Sequence, residues 1–201
     1  MTEVDQGAES VDGRAARRQR NIELVLDVVL DMFAEDSSFP TIEQAAARSG
    51  LSLRSLYRYF SDPGELVEAT IKHSQQRTSG LTRLHAIGEG PLERRIEDFV
   101  AMRLRLHEAV GPVFRATNAN AARHPRIRAE QAKNRGRLRQ QFERQFEPEL
   151  AELTAAERHG AVNAGDVLTQ LDSIDYLRRL RELTVAEAHE ALATALRSLL
   201  T

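Results

Sequence analysis

The sequence has no cysteine, which excludes disulfide bonds and metal sites built from thiolates. It also has no apolar run long enough to cross a bilayer, and its first residues lack the apolar core of a signal peptide. A reducing compartment is compatible with the missing cysteine, although it is not proved by it. We therefore expect a cytoplasmic protein that does not enter a membrane.

Glycine and proline are also scarce, with 11 and 6 among 201 residues, whereas alanine, leucine, arginine and glutamate recur throughout. The sequence shows little of the alternating β-branched pattern that a sheet needs. Its length suffices for one large domain or two small ones. We predict an all-α protein.

Signatures of catalysis are missing as well. None of the six histidines pairs at the spacing of a helical zinc site, and the sequence contains no His-Glu-x-x-His, Gly-x-Ser-x-Gly, Walker loop or dinucleotide fingerprint. We therefore expect no enzyme, no catalytic residue, no metal and no cofactor.

Acidic residues are absent from one stretch, although the formal net charge of the chain is -2. Between Gln44 and Ser61 there is no aspartate or glutamate, whereas Arg48, Arg54 and Arg58 fall there. A local basic patch can bind phosphate within a neutral protein, because salt screens charges more than about 10 Å away. A second basic cluster precedes the stretch at residues 14–20. It is either a solvated helix start or an arm that contacts phosphates.

Residues 41–60 have the pattern of two short helices joined by a tight turn. Thr41 and Gln44 form a capping box, Gly50 can take the left-handed backbone that the turn needs, and Ser52 is a good N-cap for the second helix. This pattern is typical of a helix-turn-helix, although many helical hairpins share it.

The flanking sequence predicts further helices. Residues 1–13 are predicted to form a disordered acidic tail, and a strong helix is expected over 21–35, with a loop over 36–40. Later helices are expected over residues 63–76, 91–107, 111 to about 123, 125–146, 155–183 and 185–200.

The detailed residues of the motif resemble the TetR family of transcriptional regulators. They are Thr41, Ala46, Gly50, Ser52, Leu56, Tyr57, Tyr59 and Phe60, after a helix that ends in Met32-Phe33-Ala34-Glu35. The resemblance is strong over residues 20–70 and looser to the C-terminus. It implies an N-terminal three-helix helix-turn-helix DNA-binding domain over 14–62, followed by a helical bundle over 63–201 for effector binding and dimerisation.

Two positions depart from the family pattern. Ala45 stands where the family usually has isoleucine, and Pro63 stands where it usually has a lysine that contacts phosphate. The N-terminus of the helix that follows Pro63 remains, and its partial positive charge could face a phosphate instead.

The resemblance implies a set of DNA-binding residues: Thr41, Ser52, Leu53, Arg54, Ser55, Tyr57, Arg58 and Tyr59, with Arg17 and Arg20 added from the basic cluster. Among these, Thr41 and Tyr59 match positions that contact the DNA backbone. Arg54 is the best candidate to read a base, because a guanidinium can bond two acceptors on guanine. The alternatives are a solvated charge for Arg54 and plain core packing for Tyr57.

The resemblance also implies an effector pocket within residues 91–146, with Phe99, Met102, Arg103, Phe114, Asn118 and Phe142 as its lining. Each of these could instead belong to the core, since such pockets are mostly apolar. The arginine-rich segment 123–144 is either an exposed helix face, an anion-accepting wall of a ligand site or a partner contact.

Two apolar stripes near the C-terminus indicate a four-helix interface in a homodimer. They comprise Leu168, Leu171, Ile174, Leu192, Leu196 and Leu199. The alternative is that both stripes are buried within their own subunit.

These observations lead to one main hypothesis. The chain is expected to be a repressor that binds a palindromic operator in double-stranded DNA as a homodimer and is released by an unidentified small-molecule effector. The alternative is a DNA-binding regulator without an effector, controlled by a protein partner or by abundance. An enzyme on a helical scaffold is a third possibility, which no residue set supports.

Overall fold

The computed structural model describes residues 6–84 and 86–201, with side chains from Gly13 onward. All regular structure in these residues is helical, which confirms the predicted all-α class. The α-helices are α1 (Gln6–Glu35), α2 (Ile42–Ser49), α3 (Leu53–Tyr59), α4 (Pro63–Thr78), α5 (Leu92–Asn120), α6 (Pro125–Gln145), α7 (Glu147–Ala151), α8 (Ala155–Thr169), α9 (Leu171–Asp175) and α10 (Val185–Leu200). Short 3-10 turns cover Ser79–Thr82 and Ala121–Arg123, and a π-helical turn covers Tyr176–Leu180.

Helix α1 begins at Gln6, well before the predicted start. Residues 6–13 are therefore helical, which corrects the expectation of a disordered tail for that part, whereas residues 1–5 lie outside the described residues. The physical reason is cooperativity. Once a helix is nucleated, each added residue gains a hydrogen bond, and no proline interrupts this one.

Helices α2 and α3 begin after their predicted caps, Thr41 and Ser52. Thr41 Oγ1 accepts from the Gln44 N–H at 3.2 Å, and Gln44 Oε1 accepts from the Thr41 N–H at 2.8 Å, which completes the capping box. Gly50 has φ 70°, so it turns the chain between α2 and α3 without steric strain. These contacts are local, which is why the sequence pattern could predict them.

Two further predicted boundaries are wrong. Helix α5 runs without a break through Gly111 and Pro112, where a new helix was expected. Pro112 removes one backbone donor, but Val113 is packed in the core just beyond it, so tertiary packing holds the helix together. Conversely, the long helix expected over 155–183 ends at Thr169, because Gln170 is extended, with ψ 153°.

The N-terminal core is shared by the helix-turn-helix and by the helices that follow it. Its buried side chains include Val29 of α1, Leu56 of α3 and Leu66 of α4. Val113 of α5 and Ile127 of α6 pack into the same core. The domain boundary predicted between residues 62 and 63 stays a prediction, and apolar packing is continuous across it.

A second core fills the C-terminal bundle. The rings of Phe99, Phe142 and Phe146 pack with centroids 5.0–6.0 Å apart. Gly165 of α8 lies directly against them, and a Cβ there would be 2.0 Å from the Phe142 ring. Within the described residues, no helix is both long enough and apolar enough to cross a membrane.

Candidate functional site

Helix α3 has a buried face and an exposed face that follow its helical period. Leu56 is fully buried, whereas Leu53 is 41% and Tyr57 is 50% exposed. Arg54 and Arg58 are also exposed. The exposed face thus combines an apolar group, a phenol and two guanidinium groups, a mixture that can contact both bases and phosphates in a major groove.

Hydroxyl groups order the start of α3. Ser52 Oγ accepts from the Ser55 N–H at 3.2 Å and lies 2.9 Å from Ser55 Oγ. Ser52 therefore caps the helix, and the Ser55 hydroxyl is engaged with the cap and only half-exposed. Thr41 is exposed at the N-terminus of α2, where it is also engaged in its own cap.

Tyr57 bridges the two helices of the motif. Its hydroxyl donates to Glu43 Oε1 of α2 at 2.8 Å. This bond lowers the pKa of Glu43 and raises the pKa of Tyr57, because it stabilises the ionised carboxylate and the neutral phenol. Since Tyr57 is half-exposed, core packing, the alternative considered for it, does not describe its position.

Tyr59 lies mostly inside the motif, and its contact with the DNA backbone stays a prediction. Its side chain is 8% exposed, because residue 59 falls one helical turn after the buried Leu56. The guanidinium groups of Arg18 and Arg58 lie 5.5 and 5.4 Å from its ring centroid. A hydrogen bond from Asn21 and the two arginines lower the pKa of its hydroxyl.

The basic patch is smaller than the sequence indicates. Arg48 forms an ion pair with Glu35 of α1, which lowers the pKa of Glu35. Arg17 and Arg20 are exposed on α1, close in sequence to the Arg18 and Asn21 that contact Tyr59. Arg48 is therefore neutralised, whereas Arg18 lies over the Tyr59 ring at the end of α3.

The start of α4 does not provide the expected phosphate site. Asp62 Oδ1 accepts from the Glu65 N–H at 2.9 Å, and Glu65 Oε2 accepts from the Ser61 N–H at 2.7 Å. These backbone bonds lower the pKa of both carboxyl groups. Two carboxylates thus occupy the helix N-terminus, which would repel a phosphate.

A cavity of about 830 Å³ lies between α4, the 3-10 turn after it, α5 and α6. Its volume is in the range of about 300–1,000 Å³ that is usual for small-molecule sites. Of the six residues predicted to line a pocket, only Phe114 and Asn118 border this cavity. Asn118 accepts from Gln131 at 2.6 Å and donates to Asp172 at 3.3 Å.

The other four predicted pocket residues lie in the core instead, which corrects their assignment to the pocket. Phe99, Met102 and Phe142 are at most 1% exposed and pack in the C-terminal core. Arg103 is fully buried, with its guanidinium 4.5 Å from the Phe99 ring. Side chains that are apolar and in helical phase fit both a pocket and a core, so only tertiary packing could separate them.

Sequence reasoning missed the α4 wall and the segment that follows it. Ile71, Ser74 and Thr78 line the cavity from α4, and Arg83 and Ile87 line it from the segment between α4 and α5. A signal did exist in α6, where residues 127, 131, 134, 138 and 141 recur at helical spacing and all face the cavity.

The predicted dimer residues divide into two groups. Ile174, Leu192 and Leu196 are at most 2% exposed and pack in the C-terminal core, which corrects their assignment to an interface. The other three, Leu168, Leu171 and Leu199, are half-buried. Exposed apolar side chains occur nearby instead: Val167 is 64%, Tyr176 is 50% and Leu180 is 71% exposed.

The described residues contain no group of three or more histidine and acidic side chains that could hold a metal ion. The buried His107 is instead paired with Asp175, its Nε2 3.0 Å from Oδ1, and Arg115 reaches the same oxygen at 3.2 Å. This cluster ties α5 to the end of α9.

Comparison with known proteins found several similar transcriptional regulators. An HTH-type transcriptional regulator BetI of Escherichia coli O127:H6 (strain E2348/69 / EPEC) is 36% identical over 89 residues, which are 43% of this chain and 44% of the relative. The regulator of the same name from Escherichia coli O157:H7 is 29% identical over 163 residues, 79% of each chain. The chain thus spans less than half the length of the first relative. No protein-family model and no solved structure matches the chain.

Proposed function

Since the chain belongs to the TetR family of transcriptional regulators, we propose that it binds operator DNA with α3 in the major groove. The observation that supports this most strongly is the exposed face of α3, where Leu53, Arg54, Tyr57 and Arg58 stand clear of the buried Leu56. In a helix-turn-helix, residues near the N-terminus of the second helix meet base edges.

Contacts to the DNA backbone come from around this face. Thr41 is exposed at the start of α2, and Arg17 and Arg20 are exposed on α1. The Thr41 hydroxyl and the two arginines would hold phosphates without reading sequence. Because Pro63 replaces a lysine and Arg48 is paired with Glu35, we assign a larger share of phosphate binding to the α1 arginines.

The protein is proposed to act as a homodimer on a palindromic site. Support comes from the exposed Val167, Tyr176 and Leu180, which are large apolar groups on α8 and the turn that precedes α10. A twofold dimer would present its two α3 helices about 34–36 Å apart, one turn of DNA.

Release by a small molecule is proposed to act through the cavity. Ile71, Val113 and Ile127 border the cavity and also pack in the N-terminal core that carries α2 and α3. A ligand that favours one packing of these side chains over another would change the position of α3. Such coupling requires that the ligand bind the two arrangements with unequal affinity. The alternative is control by a protein partner or by abundance. That alternative does not require a cavity of this kind.

Footprinting the DNA upstream of the gene with the full-length protein tests the function. We expect the protein to protect a sequence with twofold symmetry. A shuffled sequence of equal composition should not be protected. Equal, salt-sensitive binding to both sequences would contradict the assignment of a specific operator. The cytoplasmic location and the role as a repressor stay predictions.

A further inference from the structure

The cavity is chiefly apolar and has almost no aromatic surface. Leu106, Val110, Val113, Phe114 and Ile127 line it from α5 and α6. Among the described lining residues Phe114 is the single aromatic ring. Cages for quaternary ammonium groups are built from several aromatic faces, so this cavity does not suit a ligand of that kind.

Three cations border the cavity without a carboxylate partner among the described residues. They are Arg83, Arg137 and Arg144, for which no ion pair forms, although Arg137 donates to Asn134 at 3.1 Å. The two carboxylates on the wall are already occupied. Asp172 accepts from Arg135 at 3.1 Å, and Glu130 lies 3.4 Å from Lys133 Nζ.

The three cations are exposed and border the part of the cavity that lies next to the C-terminal half of α6. Arg137, Gln141 and Arg144 recur at i, i+4 and i+7 and so share one face of α6. Gln141 donates to the Thr82 carbonyl, which holds the residue before Arg83 against that face. Glu130 lies about two helical turns away toward the start of α6, near Gln75 of α4. The cavity is therefore basic beside this half of α6, and the larger part of its surface is apolar.

A buried cation lies behind this basic part of the cavity. Arg103 of α5 is fully buried, and it donates to Gln141 Oε1 at 2.7 Å and to the Leu138 carbonyl at 2.7 Å. Its Nε has no hydrogen-bond partner among the described residues, and no carboxylate bonds its guanidinium. Gln141 and Leu138 are both wall residues, so they separate this charge from the cavity by one layer.

Arg103 remains charged in the folded protein at neutral pH. Burial lowers its pKa to about 9, and the charge of Asp166 opposes this effect. A charge with little solvent around it is weakly screened, so its field extends further than that of an exposed arginine. Besides anchoring α5 to α6, this charge has no direct ion pair among the described residues, which makes the wall attractive to an anion.

From these contacts, we infer that the cavity binds an amphipathic anion, with its apolar body between α4, α5 and α6 and its carboxylate or phosphate head at Arg83, Arg137 and Arg144. The inference rests on the proposed function, since it names the class of effector for that site. Charge-assisted bonds to the three guanidinium groups would fix the head, and the apolar walls would select the tail.

Titration calorimetry of the full-length protein tests the inference with four probes of one chain length, each kept below its micelle concentration. Decanoate and decyl phosphate carry the two candidate heads, decyltrimethylammonium carries the opposite charge, and decanol carries none. We expect at least one anion to bind about tenfold more tightly than the cation and the alcohol, which corresponds to one good charge-assisted bond. Whichever anion binds more tightly identifies the head.

Matched variants locate the head. We expect the double variant Arg137→Gln/Arg144→Gln to weaken anion binding about tenfold and to leave decanol binding unchanged. Arg128→Gln serves as the control, because Arg128 is exposed on the same helix and does not border the cavity. Thermal unfolding of each variant without ligand shows whether it is folded. If the double variant is unfolded, the single variants Arg137→Gln and Arg144→Gln are used instead.

The outcomes separate this inference from the proposed function when the same samples are tested for operator binding. The inference is overturned if the cation or the alcohol binds as tightly as both anions, or if the folded arginine variants bind the anions like the Arg128→Gln control. Either result leaves DNA binding by α3 standing. Loss of all DNA binding with the anion preference intact would overturn the proposed function alone.

Discussion

At the scale of single residues, Arg54 is the side chain most suited to read a base. It is exposed near the N-terminus of α3 and has no ion pair among the described residues. We expect Arg54→Ala to cost about 1–3 kcal/mol of operator affinity and to relax the preference at one base pair, because a bidentate contact to guanine is lost. Binding curves on a set of single-base operator variants measure this.

Arg128→Ala is the control for that experiment, because it removes an exposed arginine from α6, outside the motif. Its affinity for each operator should match that of the unaltered protein. If Arg54→Ala leaves the ranking of the operator variants unchanged, Arg54 is a solvated charge and another residue reads the base.

Tyr57 also permits a test at the scale of one bond. Replacing it with phenylalanine removes the hydroxyl that donates to Glu43, so the pKa of Glu43 should rise toward its ordinary value. Carboxyl titration by NMR measures the change. Glu157 is an internal control, because its pKa is lowered by Thr154 in a separate capping box.

The sign of the pH effect follows from the lowered pKa. The Tyr57–Glu43 bond stabilises the folded state above the ordinary pKa of a glutamate, and this contribution is lost as the pH falls through the lower folded value. A Glu43 pKa that is the same in the unaltered and Tyr57→Phe proteins would mean that the bond between α2 and α3 does not form in solution.

At the scale of helices, the close packing of α8 on α6 depends on Gly165. A Cβ at this position would lie 2.0 Å from the Phe142 ring, and Phe142 is fully buried. We expect Gly165→Ala to lower the free energy of unfolding by about 1–3 kcal/mol, because the core cannot admit the methyl group without shifting. Chemical denaturation monitored by circular dichroism measures this.

Gly136→Ala is the matched control, because Gly136 also lies within a helix but has open space around it. There the same change should raise the free energy of unfolding by about 0.5–1 kcal/mol, through lower backbone entropy in the unfolded chain. If Gly165→Ala and Gly136→Ala both raise the free energy of unfolding, α8 does not pack closely on Phe142.

At the scale of the whole molecule, dimerisation can be tested at the exposed apolar surface near the C-terminus. Val167 of α8 is 64% exposed. We expect Val167→Glu to make the protein monomeric at micromolar concentration, because a carboxylate buried without a partner opposes association. Sedimentation velocity measures the mass. A monomeric mass for the unaltered protein would refute the homodimer.

Leu24→Glu is the control for the mass measurement, since it adds the same charge at an apolar side chain on α1 that is 46% exposed. It should leave the mass unchanged. If Val167→Glu has the dimeric mass of the unaltered protein, the two subunits meet through another surface, and the buried Ile174, Leu192 and Leu196 cannot supply it without unpacking the core.

The sequence by itself determined the local structure of the motif. The Thr41 capping box, the Gly50 turn and the Ser52 cap each depend on contacts within four residues, so their pattern is visible in the chain. The same holds for the caps at Thr154 and Thr184. Helical period also separated the buried Leu56 from the exposed Arg54.

Only the tertiary structure decided which groups far apart in sequence meet. It paired Arg48 with Glu35, placed Phe99 in a core rather than in a cavity, and kept α5 continuous through Pro112. An apolar side chain at helical spacing can face a core, a ligand or a second subunit. Which of the three it faces depends on the element that packs against it. The cavity and its basic part exist because α4, α5 and α6 meet there, and no local pattern specifies that meeting.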